Sequence, residues 1–231
     1  MQPSSLSARV EEVRERVERA RERAGRTGPV TLVAVTKTRP AAAVRAVREA
    51  GVEDVGENRV PELEEKVAEV GREAVRWHLI GHLQRNKVRK ALPLFDLLHS
   101  LDSHRLAEVV SAEAERAGTT VRALVQVNSA GEETKGGFAP EEAVEAVGRI
   151  CALPGLRIEG VMTMAPFTDD EAVLRRAFGT TRRLWEEAAR QVPAFRPLHL
   201  SMGMSNDFEI AVEEGSTLVR VGTVLFGERD R

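Results

Sequence analysis

A β/α barrel is the fold class this sequence predicts, and three observations predict it. Short apolar runs alternate with amphipathic stretches along nearly the whole chain, eight such runs can be counted, and 231 residues lie within the range of roughly 200 upward that such barrels occupy. Strand and helix in alternation build parallel βα units with right-handed crossovers, which close into a barrel or spread into an open doubly wound sheet. Eight repeats favour closure. The open sheet stays as the alternative if the short runs at 53–55 and 198–200 are not strands. The expectation is an α/β protein of one domain over 1–231, a TIM-type (β/α)8 barrel with an extra N-terminal helix.

The elements follow in order. Leu6, Val10, Val13, Val17, Ala20 and Ala24 step by three and four through a charged background, which marks an amphipathic helix that Gly25 and Gly28 stop. Strands are predicted at 31–35, 53–55, 77–80, 94–98, 123–127, 156–162, 198–200 and 218–221. Helices are predicted between them at 41–50, 60–70, 83–91, 105–117, 141–152, 171–191 and 206–214. No linker, low-complexity tract or shift in composition marks a second domain.

Composition narrows the function. A formal charge of -2 and a pI near 6.3 give no global attraction to nucleic acid or membrane. The charged fraction of 30% is mixed in sign, as solvated helix faces require. Cys151 is the only cysteine, which rules out an intrachain disulfide and a multi-thiolate metal site, and fits a reducing, cytoplasmic setting. No run approaches the roughly 18 apolar residues of a membrane span, and the N-terminus lacks a charged-then-apolar signal. The basic run of His82, Arg85, Lys87, Arg89 and Lys90 has no aromatic partners or nucleic-acid motif beside it, and reads as a solvated helix face.

Chemistry concentrates at predicted strand ends. Lys37 closes Thr31-Leu32-Val33-Ala34-Val35-Thr36-Lys37, and a lysine at the C-terminal end of a barrel strand points into the mouth where active sites of this fold lie. Closure makes the first and last strands neighbours. Lys37 then stands beside two loops of small residues, Ser201-Met202-Gly203-Met204-Ser205 after the seventh strand and Gly222-Thr223 after the eighth, the usual phosphate-binding pair. An amine beside a phosphate cradle suggests a phosphate-bearing aldehyde held as a Schiff base. Lys135, in a glycine-rich acidic loop, is a distant competitor. Arg220, two residues before Gly222, can face the mouth, and a guanidinium there only donates; the plainer reading pairs it with Glu209 or Glu228. Asn58 and His78 end the second and third strands, Asn58 within reach of a ring substituent and His78 more simply a buried contact.

The motifs Val35-Thr36-Lys37-Thr38, Gly56-Glu57-Asn58, Trp77-His78-Leu79-Ile80-Gly81-His82-Leu83-Gln84-Arg85-Asn86-Lys87, Gly160-Val161-Met162-Thr163-Met164, Leu200-Ser201-Met202-Gly203-Met204-Ser205 and Val219-Arg220-Val221-Gly222-Thr223 closely resemble the YggS/PROSC family of pyridoxal-phosphate homeostasis proteins, which adopt the alanine-racemase-like barrel. The resemblance covers nearly the whole chain. It implies pyridoxal 5'-phosphate (PLP), a form of vitamin B6, as cofactor, with a Schiff base on Lys37, Ser201, Gly222 and Thr223 around the phosphate, Arg220 at the pyridine nitrogen, Asn58 near the ring, and Val35 beside it. One departure is Arg59, where the family often carries tyrosine, so no contact of that aromatic is carried over. A racemase of related fold adds a β-rich domain and a tyrosine base opposite the lysine, and this chain has no tyrosine. The resemblance therefore implies a monomeric, non-catalytic carrier that serves PLP-requiring apoenzymes, with neither catalytic residue nor metal. The rival from another class is a PLP-dependent amino-acid racemase or lyase with His78 or a water as second base.

Overall fold

The computed structural model describes residues 5–132 and 136–228. Eight parallel strands close into a barrel in sequence order, the first pairing with the last. The strands are β1 (Thr31–Val35), β2 (Asp54–Glu57), β3 (Arg76–Leu79), β4 (Leu97–Leu101), β5 (Val121–Gln126), β6 (Leu156–Met162), β7 (His199–Ser201) and β8 (Leu218–Val221). Around them lie α1 (Leu6–Arg23), α2 (Ala41–Glu49), α3 (Val60–Val70), α4 (Val88–Ala91), α5 (His104–Arg116), α6 (Ala143–Cys151), α7 (Glu171–Gln191), α8 (Phe208–Glu213) and α9 (Thr223–Phe226).

The two shortest predicted strands are both real, though shifted. β2 runs on to Glu57 because a buried carboxylate there finds partners, which a reading of apolar runs ends too early. The predicted strand 94–98 moves to Leu97–Leu101, since Pro93 has no N–H and residues Leu92–Leu94 wind as a 3-10 turn. Asp96 immediately precedes the strand, accepting from the Trp77 N–H at 2.7 Å and from Arg72 at 2.7 and 2.9 Å. The helix predicted at 83–91 is a 3-10 turn followed by the four-residue α4. The helix predicted at 206–214 starts two residues later, at Phe208, because Asp207 accepts from the Met204 N–H at 2.6 Å and folds the preceding residues into a turn.

A further helix, α9, follows β8 and was not predicted; at four residues it is too short to cover the β8–β1 seam. The N-terminal helix takes over that duty. Ser5 caps α1 by accepting from the Ala8 N–H, and Val10, Val13, Val17 and Ala20 form its buried face. Arg16 stacks on the Phe208 ring at 4.7 Å and pairs with Glu209 at 2.7 Å, which ties α1 to α8.

Two apolar layers result. The larger lies between strands and helices and holds Trp77, Leu63, Phe178 and Phe208. The smaller fills the barrel with one inward residue from each of five strands, Val33, Leu97, Leu124, Met162 and Leu218. The barrel interior also holds a set of buried polar side chains, His78, His99, Ser201 and Arg220 among them.

Candidate functional site at the barrel mouth

A cavity of about 660 Å³ opens at the C-terminal ends of the strands. Val35, Lys37, Asn58, Arg220, Gly222 and Thr223 all line it. Register explains the gathering: Val33 pairs with Arg220 and Ala34 with Val221 across the β1–β8 seam, so the residues that follow each strand meet.

Lys37 sits in a turn whose geometry is over-determined. Thr38 next to it has φ of 62°, a left-handed conformation that a β-branched residue adopts only under constraint. The constraint is visible: the Thr38 N–H donates to Glu62 at 2.8 Å, its hydroxyl donates to the Lys37 carbonyl at 2.6 Å, and the Arg39 N–H closes on the Thr36 carbonyl at 3.0 Å. Arg39 reaches across to the Gly227 carbonyl at 2.9 Å, joining this turn to the loop after β8.

Beneath Lys37 lies a fully buried ion pair. Lys66 donates to the Thr36 carbonyl at 2.7 Å and to Glu57 at 2.6 Å, while the Thr36 hydroxyl donates to the same carboxylate oxygen. The second oxygen of Glu57 has no partner among the described residues, and burial pushes the pKa of this acid up against the pull of Lys66.

Opposite stands an anion cradle. The N–H groups of Ser205, Asn206 and Thr223 have no acceptor among the described residues, and all three residues line the cavity. The Ser205 hydroxyl accepts from the Gly222 and Val224 N–H groups at 3.2 and 3.3 Å and holds the two loops together. A Cβ on Gly222 would stand 3.1 Å from the Val35 carbonyl, so glycine permits this approach of β8 to β1. Gly203 has φ of 95°, and a Cβ there would come within 2.6 Å of Ala211.

Ser201 is the predicted residue that the structure places elsewhere. It is fully buried below the cavity and does not line it; its oxygen accepts from Arg220 and lies 3.0 Å from His99 Nδ1. Ser205, read from the sequence only as a helix cap, holds the position at the cradle. Strand alternation carried the error: Ser201 is the last residue of β7 and turns inward, while the hydroxyl four residues on reaches the mouth.

Arg220 is buried, with Nη1 donating to Ser201 and Nη2 to the Thr163 carbonyl at 2.8 Å. Among the described residues no carboxylate hydrogen-bonds it, although the Asp207 charge acts on it from nearby; Glu209 pairs instead with Arg16 and Arg23. Burial brings its pKa down to about 10, still well above neutral pH. His78 is also buried and does not line the cavity. His82 does, held by Asp102 at 2.7 Å. Lys135, the competing lysine, lies outside the described residues.

A closed (β/α)8 barrel with a lysine, an arginine and an anion cradle at its mouth defines a class of barrel that can hold a small phosphorylated aldehyde. Comparison with known proteins narrows that class. Residues 9–230 match the family described as alanine racemase, N-terminal domain. The chain is 40% identical over 222 residues to the pyridoxal phosphate homeostasis protein of Aquifex aeolicus, covering 96% of this chain and 97% of that one. It is 38% identical over 228 residues to the protein of that name from Pseudomonas aeruginosa, at 98% and 97% coverage. The structure of PipY from Synechococcus elongatus with PLP bound superposes with a TM-score of 0.83 at 36% identity, covering 96% of this chain and all of that one. Alanine racemase from Corynebacterium glutamicum shares the fold at 17% identity and a TM-score of 0.74, and this chain matches 61% of its length. The chain belongs to the family of pyridoxal phosphate homeostasis proteins, built on the barrel of the alanine racemase N-terminal domain.

Proposed function

We propose that this chain is an intracellular, cytoplasmic PLP carrier, a single barrel domain acting as a monomer, which holds the cofactor on Lys37 and delivers it to PLP-requiring apoenzymes. The observation that carries this reading is the meeting of Lys37, Arg220 and three N–H groups with no acceptor among the described residues around one cavity. The names of the relatives and the PLP held by PipY support it. When bound, PLP supplies an aldehyde that condenses with an amine to a Schiff base and a ring that can take up electrons.

The residues divide the work. Lys37 supplies the amine, aimed by the turn at Thr38. Ser205, Asn206 and Thr223 present backbone N–H groups to the phosphate, with the Thr223 hydroxyl and the space beside Gly222 completing the cradle. Arg220 presents N–H donors to the ring nitrogen, and a guanidinium near neutral pH gives that nitrogen no proton. Asn58 and Val35 flank the ring. Ser201 acts through Arg220.

Racemisation needs a proton donor or acceptor on each face, and this chain offers no tyrosine for the second. His78, the second base of the racemase or lyase reading, is committed to buried partners. Loading the protein with PLP, presenting it to a PLP-free aminotransferase and measuring recovered activity tests the carrier reading, alongside α-proton exchange from L-amino acids in deuterated water. Recovery without exchange is the expected result, and rapid exchange would replace the carrier with an enzyme.

A further inference from the structure

A chain of buried polar side chains crosses the barrel interior from the bottom to the mouth. Asp54 at the start of β2 lies 2.9 Å from His78 Nε2, His78 Nδ1 lies 2.8 Å from His99 Nε2, His99 Nδ1 lies 3.0 Å from the Ser201 oxygen, and that oxygen meets Arg220 Nη1. Asp54, His78, His99, Ser201 and Arg220 are all buried, and the two imidazoles meet edge to face with centroids 5.1 Å apart. Outside the barrel, Arg76 clasps Asp54 through two bonds of 2.8 and 2.6 Å.

With both imidazoles neutral, the two ends determine every proton between them. Arg220 can only donate and the Asp54 carboxylate can only accept. His78 therefore carries its proton on Nε2 and accepts at Nδ1, His99 donates from Nε2 and accepts at Nδ1, and Ser201 donates its hydroxyl proton to His99 while accepting from Arg220. Each group is satisfied once. The opposite order, with a doubly protonated His78, puts a second N–H on the Ser201 oxygen and leaves the hydroxyl proton without an acceptor among the described residues, a costly arrangement in a buried site.

We infer that Asp54, His78, His99 and Ser201 form a one-way hydrogen-bond relay that orients the Arg220 guanidinium at the barrel mouth, making them positioning residues for whatever that guanidinium contacts. Surrounding charges support the direction. Burial alone would raise the pKa of Asp54, yet its bonds from His78 and Arg76 hold it at about 2, and burial pushes His99 well below the ordinary histidine value. Nη2 of Arg220 is fixed separately by the Thr163 carbonyl, with the Asp207 charge nearby, so the relay acts on the tilt of the guanidinium about that anchor.

The relay is tested without cofactor. Long-range ¹H–¹⁵N spectra of the apoprotein should show His78 and His99 both neutral with the proton on Nε2; an Nδ1 proton on either ring overturns the relay. The link to the mouth rests on the PLP reading and is tested apart from it. His99→Leu, which removes both bonds, should lower PLP affinity about tenfold, as expected for disturbing a hydrogen bond to a charged group, and shift the absorption maximum of the bound cofactor. His99→Gln, which keeps one donor and one acceptor, should stay within about twofold of the unmodified protein with an unchanged spectrum. Unchanged affinity and spectrum in His99→Leu would overturn the positioning role. A protein that takes up no PLP would instead sink the carrier reading, and the tautomer result would stand.

Discussion

The buried Lys66–Glu57 pair is where a single residue matters most to the stability of the site. Removing one partner of a buried pair leaves an uncompensated charge and costs about 3–5 kcal/mol, whereas neutralising both is often harmless. Lys66→Met should therefore lower the free energy of unfolding in urea by that amount, and adding Glu57→Gln should recover most of it; equal loss in the double variant would show that the pair itself is stabilising. At Asp54 the sign of the pH effect follows from the shift. Its folded-state value of about 2 lies below the ordinary 3.8, so its contribution, about 2 kcal/mol, is fully present above roughly pH 4 and is lost as the pH falls toward 2. Asp54→Asn should flatten the stability curve between pH 4 and 2, measured by urea midpoints, and an unchanged slope there would deny the shift. At the cradle, Thr223→Val removes a hydroxyl and keeps the N–H, so PLP affinity should fall about tenfold while the fold stays intact.

At the scale of elements, α1 does the work that α9 is too short to do. Val13 is fully buried on its inner face, so Val13→Asp puts an unpaired charge beneath the β8–β1 seam. We expect a loss of about 3 kcal/mol or more in urea unfolding, against less than about 0.5 kcal/mol for the exposed Glu15→Ala; a small effect at Val13 would mean that α1 is dispensable. Strand and helix periodicity made most elements legible in the sequence: β1, β6, β8, α3 and α7 lie where apolar spacing puts them. The misses share a cause. Glu57 and Ser201 are polar residues buried by partners distant in sequence, and Pro93 turns an apolar run into a 3-10 winding, none of which spacing alone reveals. That Lys37, Arg220, Gly222 and Thr223 would meet around one cavity was legible because each follows or ends a strand near the closing seam. The relay was not, because Asp54, His78 and His99 meet only across the barrel interior.

For the molecule as a whole, the proposed carrier role would set a reversible covalent hold on a reactive aldehyde at the mouth of a closed barrel. Every group that faces the cofactor comes from a strand end or from a loop between packed elements, so binding should stabilise the fold globally. PLP at 100 times its dissociation constant should add about 2.7 kcal/mol and raise the thermal midpoint by roughly 5–10 °C. Lys37→Ala should abolish the visible absorption band and most of this rise. The central claim, that Lys37 is the residue that bonds the cofactor, is tested most directly by reducing the PLP-loaded protein with borohydride and mapping the tryptic peptides by mass spectrometry. The account predicts one pyridoxyl group, on Lys37. A pyridoxyl group on Lys135 or Lys66 with Lys37 unmodified would contradict it.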